Sequence, residues 1–137
     1  MRKINCVLVI DDSEMDRWLA LKILEQADIN SSAITASNGQ EALKKLTEYL
    51  EENNCLPELI LVDLQMPLMN GFEFIKKIKM LSHYPESKTQ IILLTAGLDS
   101  EIDLPKIEEN EIKHILFKPL NKEELLNMID LSFKEKR

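Results

Sequence analysis

The sequence has little cysteine, little glycine and no long hydrophobic run. Its two cysteines, Cys6 and Cys55, are too few for a disulfide framework and too few for a zinc site. Three glycines and five prolines exclude collagen-like or low-complexity character. No stretch approaches the roughly 18 apolar residues of a membrane-spanning helix. Arg2 and Lys3 precede the apolar run Cys6–Ile10, but a signal peptide needs a longer apolar region and a small-residue cleavage site. This run stops at Asp11 and Asp12, so export is not expected. Positive charge is also in deficit: 17 Lys+Arg face 24 Asp+Glu, a net charge of -7. Such a chain is a poor partner for nucleic-acid phosphates and for anionic membranes.

What remains is one ordinary domain. A length of 137 residues can bury a real core, and the whole chain, 1–137, reads as a single domain. Hydrophobic residues at 45% and charged residues at 30% suit a soluble globular protein. Cys6 lies in an apolar run and is expected to be a small core residue. A reducing cytoplasm is the expected compartment.

Short apolar runs alternate with longer segments of helical period. The runs are Cys6–Ile10, Leu59–Val62, Ile91–Leu94 and Ile115–Phe117, with Ser32–Ala36 a weaker one. Continuous rather than alternating apolar runs suit strands buried on both faces, as in a parallel sheet. Ser13 with Asp16 predicts the cap of a first helix, whose inward face reads as Met15, Trp18, Leu19, Ile23 and Ala27. Asn38 with Glu41 predicts a second cap, and Glu48, Glu51 and Glu52 a solvated face. A third helix should follow Gly71, burying Phe72, Phe74, Ile75, Ile78 and Leu81, with Lys76, Lys77 and Lys79 solvated. Asn121 with Glu124 predicts the last cap, with Leu125, Leu126, Ile129 and Phe133 inward. Pro105 sits within Ser100–Asn110 and predicts a short, late-starting or irregular helix. Five β-α units imply an α/β fold: a three-layer, doubly wound parallel sheet with helices on both faces.

In open α/β sheets, ligands bind beyond the carboxyl ends of the strands. The first run ends in Asp11 and Asp12, the third in Asp63, the fourth in Thr95 and the fifth in Lys118. Taken singly, an aspartate at a strand end is an ordinary cap or loop residue. Together they form a set with complementary chemistry. Adjacent carboxylates repel one another and call for a cation; Mg²⁺, or Mn²⁺ in its place, prefers such oxygen ligands. An accessible carboxylate can attack phosphorus. Lys118 and the Thr95 hydroxyl would contact the transferred phosphoryl oxygens.

The sequence resembles a response regulator receiver domain of the CheY-like, stand-alone type. The resemblance rests on Val9-Ile10-Asp11-Asp12-Ser13, Ser37-Asn38-Gly39-Gln40-Glu41-Ala42, Asp63-Leu64-Gln65-Met66-Pro67-Leu68-Met69-Asn70-Gly71, Leu94-Thr95-Ala96 and Lys118-Pro119-Leu120. It implies strand order 2-1-3-4-5, a cis bond before Pro119, and a phosphoacceptor at Asp63. It implies metal ligation by Asp12, by Asp11 through water, by Asp63 and by the Gln65 backbone carbonyl. Thr95 and Lys118 would hold the phosphoryl group. A sensor histidine kinase or phosphotransfer protein would be the donor. The domain would act as a signalling protein that assists its own phosphotransfer and dephosphorylation, not as an enzyme with a separate substrate.

The chain departs from the family pattern in places. The family usually carries an aromatic residue three positions before the lysine; here that residue is Ile115, between His114 and Phe117 in its near surroundings. A switch through loop and helix rearrangement is the expectation. Side chains two positions beyond Asp63 and Thr95, Gln65 and Gly97, should flank the path of attacking water. Leu50–Pro57 and Leu81–Gln90, with polar residues such as His83, Glu86, Ser87 and Lys88, look longer than in a minimal receiver. They resemble loops of receivers that partner phytochrome-type kinases. No output domain is expected after Arg137, so the output should be another protein or phosphoryl flow itself. The face formed by residues 98–134, with Leu98, Ile102, Leu104 and Ile107, is a candidate surface for that target or for a homodimer. Two rivals stand beside this reading. One is a phosphorylation-independent binding module. The other is a phosphohydrolase similar to the haloacid dehalogenase group, but Asp63-Leu64-Gln65 lacks the second acid and there is no room for a cap domain.

Overall fold

The computed structural model describes residues 4–81, 83–84 and 87–135. Arg2, Lys3, Glu86 and Arg137, named above, lie outside the described residues. The order of elements is β1 (Ile4–Ile10), α1 (Glu14–Ala27), β2 (Asn30–Ala36), α2 (Gly39–Asn53), β3 (Leu59–Asp63), α3 (Gly71–Lys79), β4 (Gln90–Thr95), α4 (Asp103–Glu109), β5 (Ile115–Phe117) and α5 (Lys122–Glu135). All strand pairs are parallel, in the order β2-β1-β3-β4-β5.

The central strands β1, β3 and β4 are mainly apolar because both sheet faces are covered there. Val7, Val9, Leu59, Leu61, Ile92 and Leu94 pack on one side with Ala20, Ile23, Leu24, Leu125, Ile129 and Phe133 of α1 and α5. Leu8, Ile10, Ile60, Val62 and Leu93 point to the other side, onto Ala42 and Leu46 of α2 and Phe72, Phe74, Ile75 and Ile78 of α3. Successive residues thus serve opposite cores, which a single run of Val, Ile and Leu satisfies at once. Truncating one of these leucines to alanine would cost about 2–5 kcal/mol. Cys6 is buried in β1, as expected.

Three helix starts follow the caps that the sequence predicts, and Asn70 supplies a fourth of the same kind. Ser13, Asn38, Asn70 and Asn121 each accept a bond from the backbone N–H three residues on. At α3 the bond is reciprocal, Glu73 returning to the Asn70 N–H. Pro105 is the third residue of α4, within the first turn, where an N–H has no partner inside the helix. The long segment after Leu50 is partly helix, since α2 runs on to Asn53 and ends on Asn54 in the left-handed region at φ 55.

Two expectations need correction. Met15 and Trp18 are 77% and 60% exposed, whereas Ala20, Ile23 and Leu24 are the buried residues of α1. Met15 and Trp18 lie about half a turn away from that stripe, so their apolar character did not place them inside. Of the three lysines in α3, Lys76 and Lys77 are exposed, but Lys79 is half-buried and donates to the Asn110 carbonyl. It ties α3 to the end of α4, and burial lowers its affinity for a proton.

Candidate functional site

The carboxyl edge of the sheet gathers Asp11, Asp12, Asp63, Thr95 and Lys118. Strands β1, β3 and β4 are in register up to Ile10, Val62 and Leu93, so the residues that follow emerge side by side. Carboxylate oxygens of Asp11, Asp12 and Asp63 lie within 4.8 Å of one another. Asp11 and Asp63 are buried, and Asp12 is exposed. Asp11 is fixed from two directions: its Oδ1 accepts from the Ser13 N–H at 2.9 Å, and its carbonyl accepts from Arg17 Nη1 at 2.6 Å.

Lys118 follows β5 and leads into the cis bond to Pro119. Its ammonium lies 2.7 Å from Asp11 Oδ2, 2.9 Å from Asp16 Oδ2 and 3.4 Å from Asp63 Oδ2. Burial works against this charge, but the bonds to Asp11 and Asp16 and the nearby Asp63 overcome it and hold the ammonium above its ordinary value. At Asp63 the balance runs the other way. Burial, then the Asp11 carboxylate, push its carboxyl up to about 6, against the pull of Lys118 and of the Gln65 N–H. Asp63 Oδ1 is buried without a hydrogen-bond partner, and Asp11 Oδ2 has only its ion pair with Lys118. A buried anionic oxygen without a donor is costly. A hard cation fits that vacancy in the bonding, so the donor set suits Mg²⁺.

Thr95 is buried at the end of β4. Its hydroxyl lies 2.6 Å from the Gly97 carbonyl and 3.2 Å from Gln65 Oε1; its single proton goes to the nearer oxygen. Gln65 Nε2 also reaches the Gly97 carbonyl, at 3.4 Å. Gln65 therefore bridges the loop after β3 and the loop after β4. An opening of about 480 Å³ lies beside Asp12, Gln65, Asn70 and Lys106. A larger one, about 560 Å³, lies at the other end of the sheet, near Gln90 and His114, away from the carboxylates.

A family model described as "Response regulator receiver domain" matches residues 7–130. The chain belongs to that family. Among solved structures, this receiver is similar to the chemotaxis protein CheY4 of Vibrio cholerae, with 31% identity, a TM-score of 0.78, and coverage of 94% of this chain and 98% of that one. It also shares the fold of the bacteriophytochrome response regulator AtBRR, with 24% identity, a TM-score of 0.76, and coverage of 95% and 93%. That likeness shows the fold alone. Among curated proteins, the autoinducer 1 sensor kinase/phosphatase LuxN of Vibrio campbellii is 35% identical over 128 residues, spanning 85% of this chain but only 14% of LuxN. The protein PilG of Pseudomonas aeruginosa is 32% identical over 123 residues, 90% of this chain and 83% of PilG. The five-stranded order 2-1-3-4-5 is the CheY-like arrangement that the sequence resemblance implied.

The receiver site also contains Asp16, which the sequence marks only as part of the α1 cap. Its backbone N–H does serve that cap, but its carboxylate reaches Lys118. Asp16 lies in the first turn of α1, three residues after its Ser13 cap, and this keeps it beside the same strand edge.

Ile115 is partly buried and packs in the core on the α3 side, His114 is buried, and Phe117 is 53% exposed. On the face formed by residues 98–134, Ile102 and Leu104 are exposed, whereas Leu98 and Ile107 pack partly against the core. Among the described residues, no helix is long and apolar enough to cross a membrane.

Proposed function

We propose that the chain accepts a phosphoryl group on Asp63 from a histidine kinase or phosphotransfer protein, in the presence of Mg²⁺, and signals by altered protein binding. The observation that carries this reading is the donorless Oδ1 of Asp63, set beside the Lys118 ammonium and within reach of Asp11 and Asp12. One oxygen of Asp63 forms a bond to phosphorus as the phosphorus–nitrogen bond of a phosphohistidine breaks, and the nitrogen keeps the electron pair. Asp11, Asp12, Asp63 and the Gln65 carbonyl would hold the metal, which supplies charge neutralisation at the carboxylates and at the phosphoryl oxygens. Lys118 meets the added negative charge, and Thr95 turns its hydroxyl from Gly97 toward the phosphoryl group. Phosphorylation then shifts an equilibrium between two conformations of the loops around Gln65 and Gly97.

The output is a protein partner. Ile102, Leu104, Phe117 and Leu131 are exposed on the α4–β5–α5 side and offer the apolar contacts for a target or a second copy. Work in a reducing cytoplasm agrees with two free cysteines, one of them exposed. The test is intact mass after incubation with Mg²⁺ and acetyl phosphate. One added phosphoryl group is expected, lost in Asp63→Asn and in a chelated sample. Absence of the adduct from the wild-type chain, with sensor kinases also tried, would replace this reading with a phosphorylation-independent binding module.

A further inference from the structure

We propose that Asp16 is a positioning residue that holds Lys118 back from Asp63 until the phosphoryl group arrives. The inference rests on the phosphoacceptor reading of Asp63.

Lys118 has three carboxylates around it and one ammonium to share. Its contacts with Asp11 and Asp16, at 2.7 and 2.9 Å, are short; that with Asp63, at 3.4 Å, is long. The acceptor is thus the loosest of the three partners. Asp11 is buried and fixed by the Ser13 N–H. Asp16 differs: its side chain is 34% exposed, it stands on the first turn of α1, and water can take over from the lysine when the pair opens. It is the partner that Lys118 can leave most cheaply.

Asp16 draws the ammonium toward α1 and away from the oxygen that must meet phosphorus. Neutralising it should free Lys118 for Asp63 and the incoming phosphoryl oxygens. Asp16→Asn keeps the backbone N–H that bonds Ser13 Oγ, so the helix cap survives the change.

The experiment compares wild type, Asp16→Asn, Asp16→Glu, Lys118→Ala and the double variant Asp16→Asn/Lys118→Ala, with Mg²⁺ and acetyl phosphate, by the rate of adduct formation. Asp16→Asn should accept phosphate about three- to tenfold faster, the size of effect that one partly exposed ion pair carries. Asp16→Glu should return toward the wild-type rate. In the Lys118→Ala background the Asp16→Asn change should fall below about twofold, because its effect runs through the lysine. An equal acceleration with and without Lys118 would make Asp16 a plain surface charge and overturn the proposal, as would an unchanged rate. Urea unfolding of wild type, both single Ala/Asn variants and the double variant in chelator reads the contact without phosphorylation. There Asp16 and Lys118 should be coupled by about threefold or more in the unfolding constant; independent effects would sink the inference. A wild-type chain that takes no phosphate at all would instead overturn the phosphoacceptor reading, while the unfolding cycle still reports on the pair.

Discussion

A Cβ placed on Gly71 would stand 2.7 Å from the carbonyl oxygen of Asp63 and 2.9 Å from Leu64 Cα. Both neighbours are backbone, so neither can swing aside. Gly71 also donates its N–H to the Leu64 carbonyl at 2.9 Å, drawing the start of α3 against the end of β3. Gly71→Ala must therefore push the loop that follows Asp63. The expected cost is about 1–3 kcal/mol, typical of overpacking, read by urea unfolding. A slower phosphorylation in the surviving folded protein should accompany it. A stability within a few tenths of a kcal/mol of wild type would show that the loop yields freely.

The central strands β1, β3 and β4 were legible because each is buried on both faces, and such strands spell themselves as near-continuous runs of Val, Ile and Leu. The caps at Ser13, Asn38 and Asn121 were legible because each acts on a residue three positions away. The inward face of α1 was not, because Met15 and Trp18 are apolar yet sit on the solvent side. The five strand-end residues could be placed together from the fold rule alone. The Asp16–Lys118 contact could not: its partners are 102 residues apart in the chain, and no motif records the reach of one side chain from α1 to the end of β5. The arrangement of Gln65 against Gly97 is likewise a matter of side-chain direction.

Asp63 predicts an inverse dependence of stability on pH in metal-free protein. Its folded carboxyl is pushed from the ordinary 3.8 up to about 6, first by burial and then by Asp11. Between those two values the folded chain binds more protons than the unfolded one, so this group's contribution falls as pH rises. Below that window both states are protonated and the penalty vanishes; above it the full penalty remains. Asp63→Asn in chelator should be more stable than wild type by about 1–3 kcal/mol at pH 7.5, and the two should converge near pH 4. Mg²⁺ should restore much of the difference by stabilising wild type through binding to the folded state. Parallel stability curves for the two proteins across this range would contradict the buried, uncompensated carboxylate.

Gln65 joins the two loops that flank the site. Its Nε2 lies 3.4 Å from the Gly97 carbonyl, and its Oε1 lies 3.2 Å from the Thr95 hydroxyl. The Gly97 N–H in turn donates to Thr95 Oγ1 at 3.2 Å, so the loop after β4 is held by the glutamine amide and by the threonine together. Gln65→Ala removes the first of these. Because that bond is long and solvent-exposed, its loss should cost only a few tenths to about 1 kcal/mol, visible as a roughly two- to fivefold faster exchange of the Gly97 amide hydrogen with little change in global stability. Gly97→Ala is the control: a Cβ there meets nothing within 4 Å, so the loop should keep its protection. If exchange at Gly97 were the same in wild type and Gln65→Ala, the amide would be a bystander and Thr95 alone would set the loop; the turn of its hydroxyl toward a phosphoryl group would then be free of any cost from Gln65.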